Sequence, residues 1–203
     1  MKKISIIVAM LLLPLATQAQ LALKVGLTAN GALGDMNNYW TAGPGVDLSL
    51  KYILTKHISA GISTGFQHFF PNDSWDDEYN DYDDESLNII PIRLSFAYYV
   101  GEKKFRPYFG AELGLTHVIL EYSDRYSYYD YYYGTLYATK DVKDESTKFS
   151  ASPVAGFYIN FGNSKVGIDV NARYYFVASG DNDSDREKAN YLGVSAGLVF
   201  RFW

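Results

Sequence analysis

The sequence predicts an all-β protein: an eight-stranded antiparallel up-and-down β-barrel that crosses a membrane with its strands. Three observations carry this. Apolar residues alternate with small or polar ones in eight separate segments, and period 2 is the pattern of a strand with two unlike faces. Each segment reaches the roughly 9–11 residues that a tilted strand needs to cross a bilayer. The connections between segments are alternately long and short, so one end of the sheet carries tight turns and the other carries large loops. An even strand number with this asymmetry is the layout of a bacterial outer-membrane barrel.

The chain opens MKKISIIVAMLLLPLATQAQ. Lys2 and Lys3 form a basic start, Ile4 to Leu15 is apolar, and Thr17-Gln18-Ala19 supplies small residues before Gln20. That order predicts a secretory signal peptide over 1–19, with the barrel domain at 20–203. No later run reaches the roughly eighteen apolar residues of a spanning helix. The chain has no Cys, which excludes disulfides, thiolate metal sites, a Cys nucleophile and a lipid anchor on Cys. Tyr is abundant, with 19 residues. An exported, Cys-free, Tyr-rich chain without a helical span is either a secreted β protein or a membrane barrel.

Segment one, Leu21–Gly31, sets Leu21, Leu23, Val25, Leu27 and Ala29 against Lys24, Gly26, Thr28 and Asn30. Segment two, Gly45–Leu54, opposes Val46, Leu48, Leu50 and Tyr52 to Asp47, Ser49 and Lys51. Segment three, His57–Phe69, opposes Ile58, Ala60, Ile62 and Phe66 to Ser59, Gly61, Ser63, Gly65 and Gln67. In segment four, Leu87–Val100, the apolar face is Ile90, Ile92, Leu94, Phe96 and Tyr98, and Pro91, Arg93, Ser95 and Ala97 face the other way. Segment five, Phe105–Leu120, contrasts Phe109, Ala111, Leu113 and Leu115 with Gly110, Glu112, Gly114 and Thr116. Segment six, Lys148–Phe161, carries Phe149, Ala151, Ala155, Phe157 and Ile159 on its apolar side. Segments seven, Lys165–Val177, and eight, Asn190–Trp203, place Asp169 and Arg173, then Arg201, opposite their apolar faces. The short links lie at 55–57, 101–104 and 162–164; the long ones at 32–44, 70–86, 121–147 and 178–189.

Alternation alone does not say which face points inward. A soluble barrel would turn its apolar face in, and a membrane barrel turns it to lipid. Three features favour lipid. Glycines crowd the other face, which suits a narrow eight-stranded lumen and not an open surface. That face also holds charges of both signs, and buried charges must be paired. Aromatics Tyr52, Phe66, Tyr98, Tyr174, Phe200 and Phe202 sit near segment ends, as interfacial girdles do. The inward set predicts a lumen ion-pair cluster of Arg93, Glu112, Asp47, Lys51, Asp169, Arg173 and Arg201. If Gly101 pairs with Lys104, opposed residues sum to 205, and Arg93 lies directly opposite Glu112 as an ion pair.

IIPIRLSFAYYV, RPYFGAELGL, the Gln-Ala-Gln signal exit and the terminal FRF together resemble the small outer-membrane β-barrels of Bacteroidota ("porin family", PorT-like, OmpX-like). The resemblance covers essentially the whole mature chain. It implies an outer-membrane location, lipid as the surrounding medium, and insertion by the barrel-assembly machinery. The family has no uniform activity, so no functional residue carries over.

Two connections could carry chemistry. Residues 72–86 read NDSWDDEYNDYDDES, with eight carboxylates and no basic residue. Oxygen ligands suit Ca²⁺ or Mg²⁺, but the Gly and ligand spacing of an EF-hand loop are missing. A solvated acidic loop that attracts cations is expected, without a dedicated metal site. The tract Tyr122–Asp141 is rich in Tyr, which gives large contact area at low entropy cost. It is either a binding loop or a pair of strands running on as a hairpin around Gly134. The external binding residues are therefore taken as Trp75, Tyr79 and Tyr82, with Tyr128, Tyr129, Tyr131 and Tyr132. His57 falls in a tight turn, and His68 and His117 are followed at i+2 by Phe70 and Ile119 and not by Ser, so no catalytic residue is assigned and the histidines are read as rim residues. No cofactor motif, zinc spacing or nucleic-acid patch is present. The expectation is a non-enzymatic structural, adhesive or ligand-binding surface protein, with an extracellular ligand or cation at its loops. A narrow porin-like channel and a lipid A-modifying enzyme are the alternatives.

Overall fold

The computed structural model describes residues 20–72, 85–130, 134–162, 164–178 and 189–202, with backbone alone for 124–130 and 134–139. Eight strands follow in order: β1 Gln20–Ala32, β2 Ala42–Ile53, β3 Ile58–Phe69, β4 Ser86–Tyr99, β5 Phe105–Asp130, β6 Gly134–Asn160, β7 Val166–Val177 and β8 Tyr191–Phe202. Each pairs antiparallel with the next, and β1 pairs with β8 from Leu21↔Phe202 to Ala32↔Tyr191, so the barrel is closed. Closure leaves no unpaired sheet edge. The predicted signal peptide lies outside the described residues.

Apolar side chains point out and polar ones point in. Leu27 is 72% exposed and Ile92 59%, while Lys24, Arg93, Glu112 and Arg173 are each 2% exposed. A barrel standing in water would reverse this order; one standing in hydrocarbon requires it. Aromatic pairs flank the apolar band at both ends. Tyr98–Phe109 and Phe105–Phe157 lie near the tight turns, with Tyr174–Phe176 and His68–Phe70 near the long loops.

Inward glycines have a steric reason. A Cβ at Gly61, Gly110 or Gly114 would collide with a carbonyl oxygen of the neighbouring strand, from Leu50, Phe96 and Ile92 respectively. Pro91 and Pro153 interrupt the ladders between β3 and β4 and between β6 and β7, because Pro has no N–H to give. Gly101 and Gly162 take φ 76° and 68° in two of the tight turns, a region where a side chain would be strained.

One expectation is corrected and one open alternative is decided. The β4–β5 register sums to 207, not 205: Arg93 stands opposite Gly114 and Glu112 opposite Ser95. The physical reason is a wider turn, in which Val100 N–H donates to the Pro107 carbonyl at 2.7 Å. A shift of two residues preserves the faces, so both charges still point inward. Second, the connection at 121–147 is largely strand. β5 and β6 stay in register from Phe105↔Ile159 out to Asp130↔Gly134, so the hairpin around Gly134 is the form this tract takes.

Inside, the lumen is layered. Its middle is polar. Near the long loops the inward side chains turn apolar: Phe69, Leu87, Ile89, Val118, Leu120, Val177 and Tyr191. The β1–β2 connection folds over this end as a short 3-10 turn, Gly34–Asn38, that buries Met36.

Candidate functional site

The charged members of the mid-lumen network come from inward positions of five strands, β1, β2, β4, β5 and β7. Lys24 on β1 is its hub, with Nζ 3.0 Å from Asp47 Oδ2 on β2 and 2.9 Å from Asp169 Oδ1 on β7. It also donates to Ser195 Oγ at 3.0 Å, and that hydroxyl donates to Asp47 at 3.2 Å. Arg173 Nη1 stands 3.0 Å from Asp47 Oδ2, and its Nε stands 3.3 Å from Glu112 Oε1. Arg93 Nη1 reaches Glu112 Oε2 at 4.0 Å, diagonally across the ladder instead of head-on. Arg93 also donates to Ser150 Oγ and Thr116 Oγ1, at 3.2 and 3.1 Å. Tyr108 and Asn171 donate to Asp169 Oδ1 at 3.1 and 2.5 Å.

Three cations thus face three carboxylates, all nearly excluded from solvent. Dehydrating a charge is costly unless a partner and further hydrogen bonds replace the water. The arrangement supplies each charge with an opposite partner as one connected set, although Glu112 Oε2 and Arg173 Nε make no hydrogen bond among the described residues. It is a structural clamp across non-neighbouring strands, and it fills the lumen at mid-height.

Of the seven residues predicted for this cluster, five join it: Arg93, Glu112, Asp47, Asp169 and Arg173. The other two, Lys51 and Arg201, sit nearer the tight-turn mouth. Lys51 Nζ lies 5.0 Å over the Tyr108 ring. Arg201 donates to Asn160 Oδ1 at 2.6 Å and to the Ser164 carbonyl at 2.7 Å. These two, with Lys24, Tyr99 and Tyr158, line a cavity of about 380 Å³ at that end. Lys24 is legible in the sequence as an inward cation, yet its place at the hub is not, since its partners lie on β2 and β7.

The long-loop mouth is sealed. Trp40, Met36, Phe69 and Tyr191 have no exposed surface. Backbone bonds hold the covering segment on both sides: Ala32 N–H to Thr41 O, Leu33 N–H to Asn190 O and Thr41 N–H to Phe70 O. Below the seal, Tyr175 stacks on Tyr191 at 4.1 Å, and the Arg93 guanidinium lies 4.3 Å over Tyr175. Sequence reasoning misses the aromatic members of this seal. Tyr175 adjoins the outward Tyr174, and Trp40 lies in a connection where no period applies.

Outside the barrel, Trp75, Tyr79, Tyr82, Tyr131 and Tyr132 lie outside the described residues. Tyr128 and Tyr129 pair as backbone with Leu136 and Thr135 in the extended hairpin. At the base of that hairpin the outward face becomes charged: Lys143 Nζ is 2.8 Å from Glu145 and 3.7 Å from Glu121. The hydrogen bond from Lys143 holds the Glu145 carboxyl below its ordinary range, and the same bond raises Lys143. Charges on the outward face mark where the strands have left hydrocarbon. His117 Nδ1 bonds Thr147 Oγ1 at 3.0 Å here, with Nε2 3.7 Å from Glu145. His68 bonds Asn88 Oδ1 at 2.8 Å, and His57 the Tyr99 carbonyl at 2.9 Å.

A closed eight-stranded barrel with an apolar exterior, two aromatic girdles and a charged lumen is a transmembrane barrel of the outer-membrane class. The family model of the outer membrane protein β-barrel domain matches residues 5–202, and the chain belongs to that family. No curated protein matches it in sequence. Among solved structures it is similar to Neisserial surface protein A, with 14% identity, 91% of this chain and 97% of that chain covered, and a TM-score of 0.54. It is also similar to Ail, the attachment invasion locus protein of Yersinia pestis, at 12% identity, 91% and 99% coverage and a TM-score of 0.52. A major outer membrane protein of Thermus thermophilus gives 12% identity, 89% and 99% coverage and a TM-score of 0.55. At these identities the likeness is one of fold.

Proposed function

We propose that this chain is a non-enzymatic surface protein of the outer membrane, a sealed barrel that displays an adhesive or ligand-binding hairpin. The carrying observation is length. β5 and β6 have 26 and 27 residues, whereas β1 to β4, β7 and β8 have 12 to 14. At about 3.4 Å per residue, the hairpin continues some 45 Å along the strand direction past what the bilayer needs. Its sequence there is rich in Tyr, which suits contact surfaces. The similarity to Ail, named for attachment and invasion, agrees with this reading. In this reading the leader exports the chain, the assembly machinery inserts it, and the Lys-bearing tight turns face the periplasm. The long loops, including the acidic stretch 72–86, then face outward, where they attract cations.

Replacing the hairpin beyond the Glu121↔Lys143 pair with an Asn-Gly turn tests this. The shortened barrel should keep its heat-modifiable gel mobility while cells bearing it lose binding to protein- or glycan-coated surfaces. Equal binding by both forms sinks the reading. A lipid-modifying enzyme is the second reading, on the His117, Thr147 and Glu145 contacts at the rim. It requires a changed lipid A mass spectrum when the gene is present; our reading expects an unchanged one.

A further inference from the structure

The tight-turn mouth has features that the clamp above it and the display end do not use. Its cavity, about 380 Å³, is at the small end of the range for organic ligands. The walls are mixed. Ala22, Ile53, Leu54 and Val199 give an apolar side, and the rings of Tyr99 and Tyr158 stand among cationic groups. Arg106 lies 4.9 Å over Tyr99, and Arg201 lies 5.9 Å over Tyr158.

The charges at this mouth do not balance. Two carboxylates line the cavity, Glu102 and Asp169. Asp169 is taken by Lys24 at 2.9 Å and Glu102 by Lys56 at 3.1 Å. Arg106 is turned to neutral acceptors, the carbonyls of Gly101 and Lys56. Lys51 is the telling group. Its ammonium lies over the Tyr108 ring; among the described residues no carboxylate comes within 4.0 Å of it, and Asp169, held by Lys24, acts on it only from farther off. An interior cation whose carboxylate is farther off and already bonded to another cation is incompletely compensated, and a ring face offsets little of that. A second polar group lines the same cavity. Tyr158 is 6% exposed and lines the cavity, and its hydroxyl has no hydrogen-bond partner among the described residues. Gly167 makes this placement possible, since a Cβ there would sit 2.5 Å from the Tyr158 ring and hydroxyl.

We propose that this cavity binds a small organic anion, its phosphate or carboxylate on Lys51 with Tyr158 Oη as a further donor and its apolar body against Ile53, Leu54 and Val199. The site faces the end opposite the display hairpin, so it stands or falls apart from the adhesive reading. A free metabolite and a lipid headgroup can offer the same anionic group.

Phenyl phosphate is the probe, titrated calorimetrically into the full-length barrel in a maltoside micelle, which carries no phosphate of its own. The expected result is saturable one-to-one binding that weakens with salt. Phenol should show no binding, because it lacks the charge. Lys51→Met should weaken binding about tenfold or more, the scale of one lost charge-assisted contact. Lys51→Arg should keep most of the affinity, and Gly167→Ala should reduce it by displacing Tyr158. Each variant is first checked for heat-modifiable mobility, so a loss of fold is not read as a loss of ligand. Dihexanoyl phosphatidic acid binding more tightly than phenyl phosphate assigns a lipid source, and the reverse order assigns a free anion; either supports the site. No saturable binding of phenyl phosphate to the folded protein, or equal affinity in Lys51→Met, overturns it.

Discussion

The two mouths of this lumen are built from the same strands and the same inward parity, yet they differ in kind. At the long-loop end Trp40, Met36, Phe69 and Tyr191 are fully buried and the covering segment is bonded to both neighbours. At the tight-turn end a cavity of about 380 Å³ is lined by Lys24, Lys51 and Arg201. Between them runs the clamp of three cations and three carboxylates. An inward position is therefore not a single environment. It is apolar where a segment covers it, paired where it is enclosed by charge, and ligand-ready where it opens.

The largest effect should come from the clamp on which both mouths rest. Arg173→Met leaves Asp47 and Glu112 short of a partner inside the barrel. Breaking a buried pair from one side costs about 3–5 kcal/mol. Guanidinium unfolding in micelles should show this as a lower midpoint, and an unchanged midpoint would mean the carboxylates are satisfied without it.

Next comes the seal. Trp40→Ala removes a fully buried side chain, at a cost of about 3 kcal/mol for a large-to-small change. The two mouths would then become more alike. Planar-bilayer recordings of the wild type should be silent, and the variant should remain silent as well, because the mid-lumen clamp still fills the bore. Conductance in Trp40→Ala would show that the seal, and not the clamp, is the barrier.

The smallest effect lies on the hairpin base, outside both mouths. Lys143 lowers the Glu145 carboxyl below its usual value. A depressed carboxyl stabilises the folded hairpin above its unfolded pKa of about 4.3, and the gain is lost as pH falls through the folded value. NMR titration should place Glu145 below that reference, and Lys143→Ala should return it upward. A Glu145 that titrates at the reference value in the wild type removes the pair from the account.

Much of the barrel is legible in the amino-acid order alone. Strand number, turn asymmetry and the inward parity of Lys24, Asp47, Arg93, Glu112, Asp169 and Arg173 follow from a period that each segment displays by itself. The apolar layer at the long-loop end is not legible in this way. In Leu87–Ile92 and Val118–Leu120 both faces are apolar, so alternation fades where the lumen itself turns apolar.

The sequence by itself determined the barrel and the face of each strand residue, because a pleated strand sends neighbours to opposite sides wherever it is placed. Only the tertiary structure decided who meets whom. The β4–β5 turn moved the register by two, which kept Arg93 and Glu112 inside but made their contact diagonal. Closure of β1 on β8 and the curvature of the wall brought Lys24 to Asp169 from nearly opposite ends of the chain. It left Lys51 at the open mouth with a tyrosine ring where a carboxylate was expected. Those contacts depend on distances across a lumen, and no local pattern in a chain encodes them.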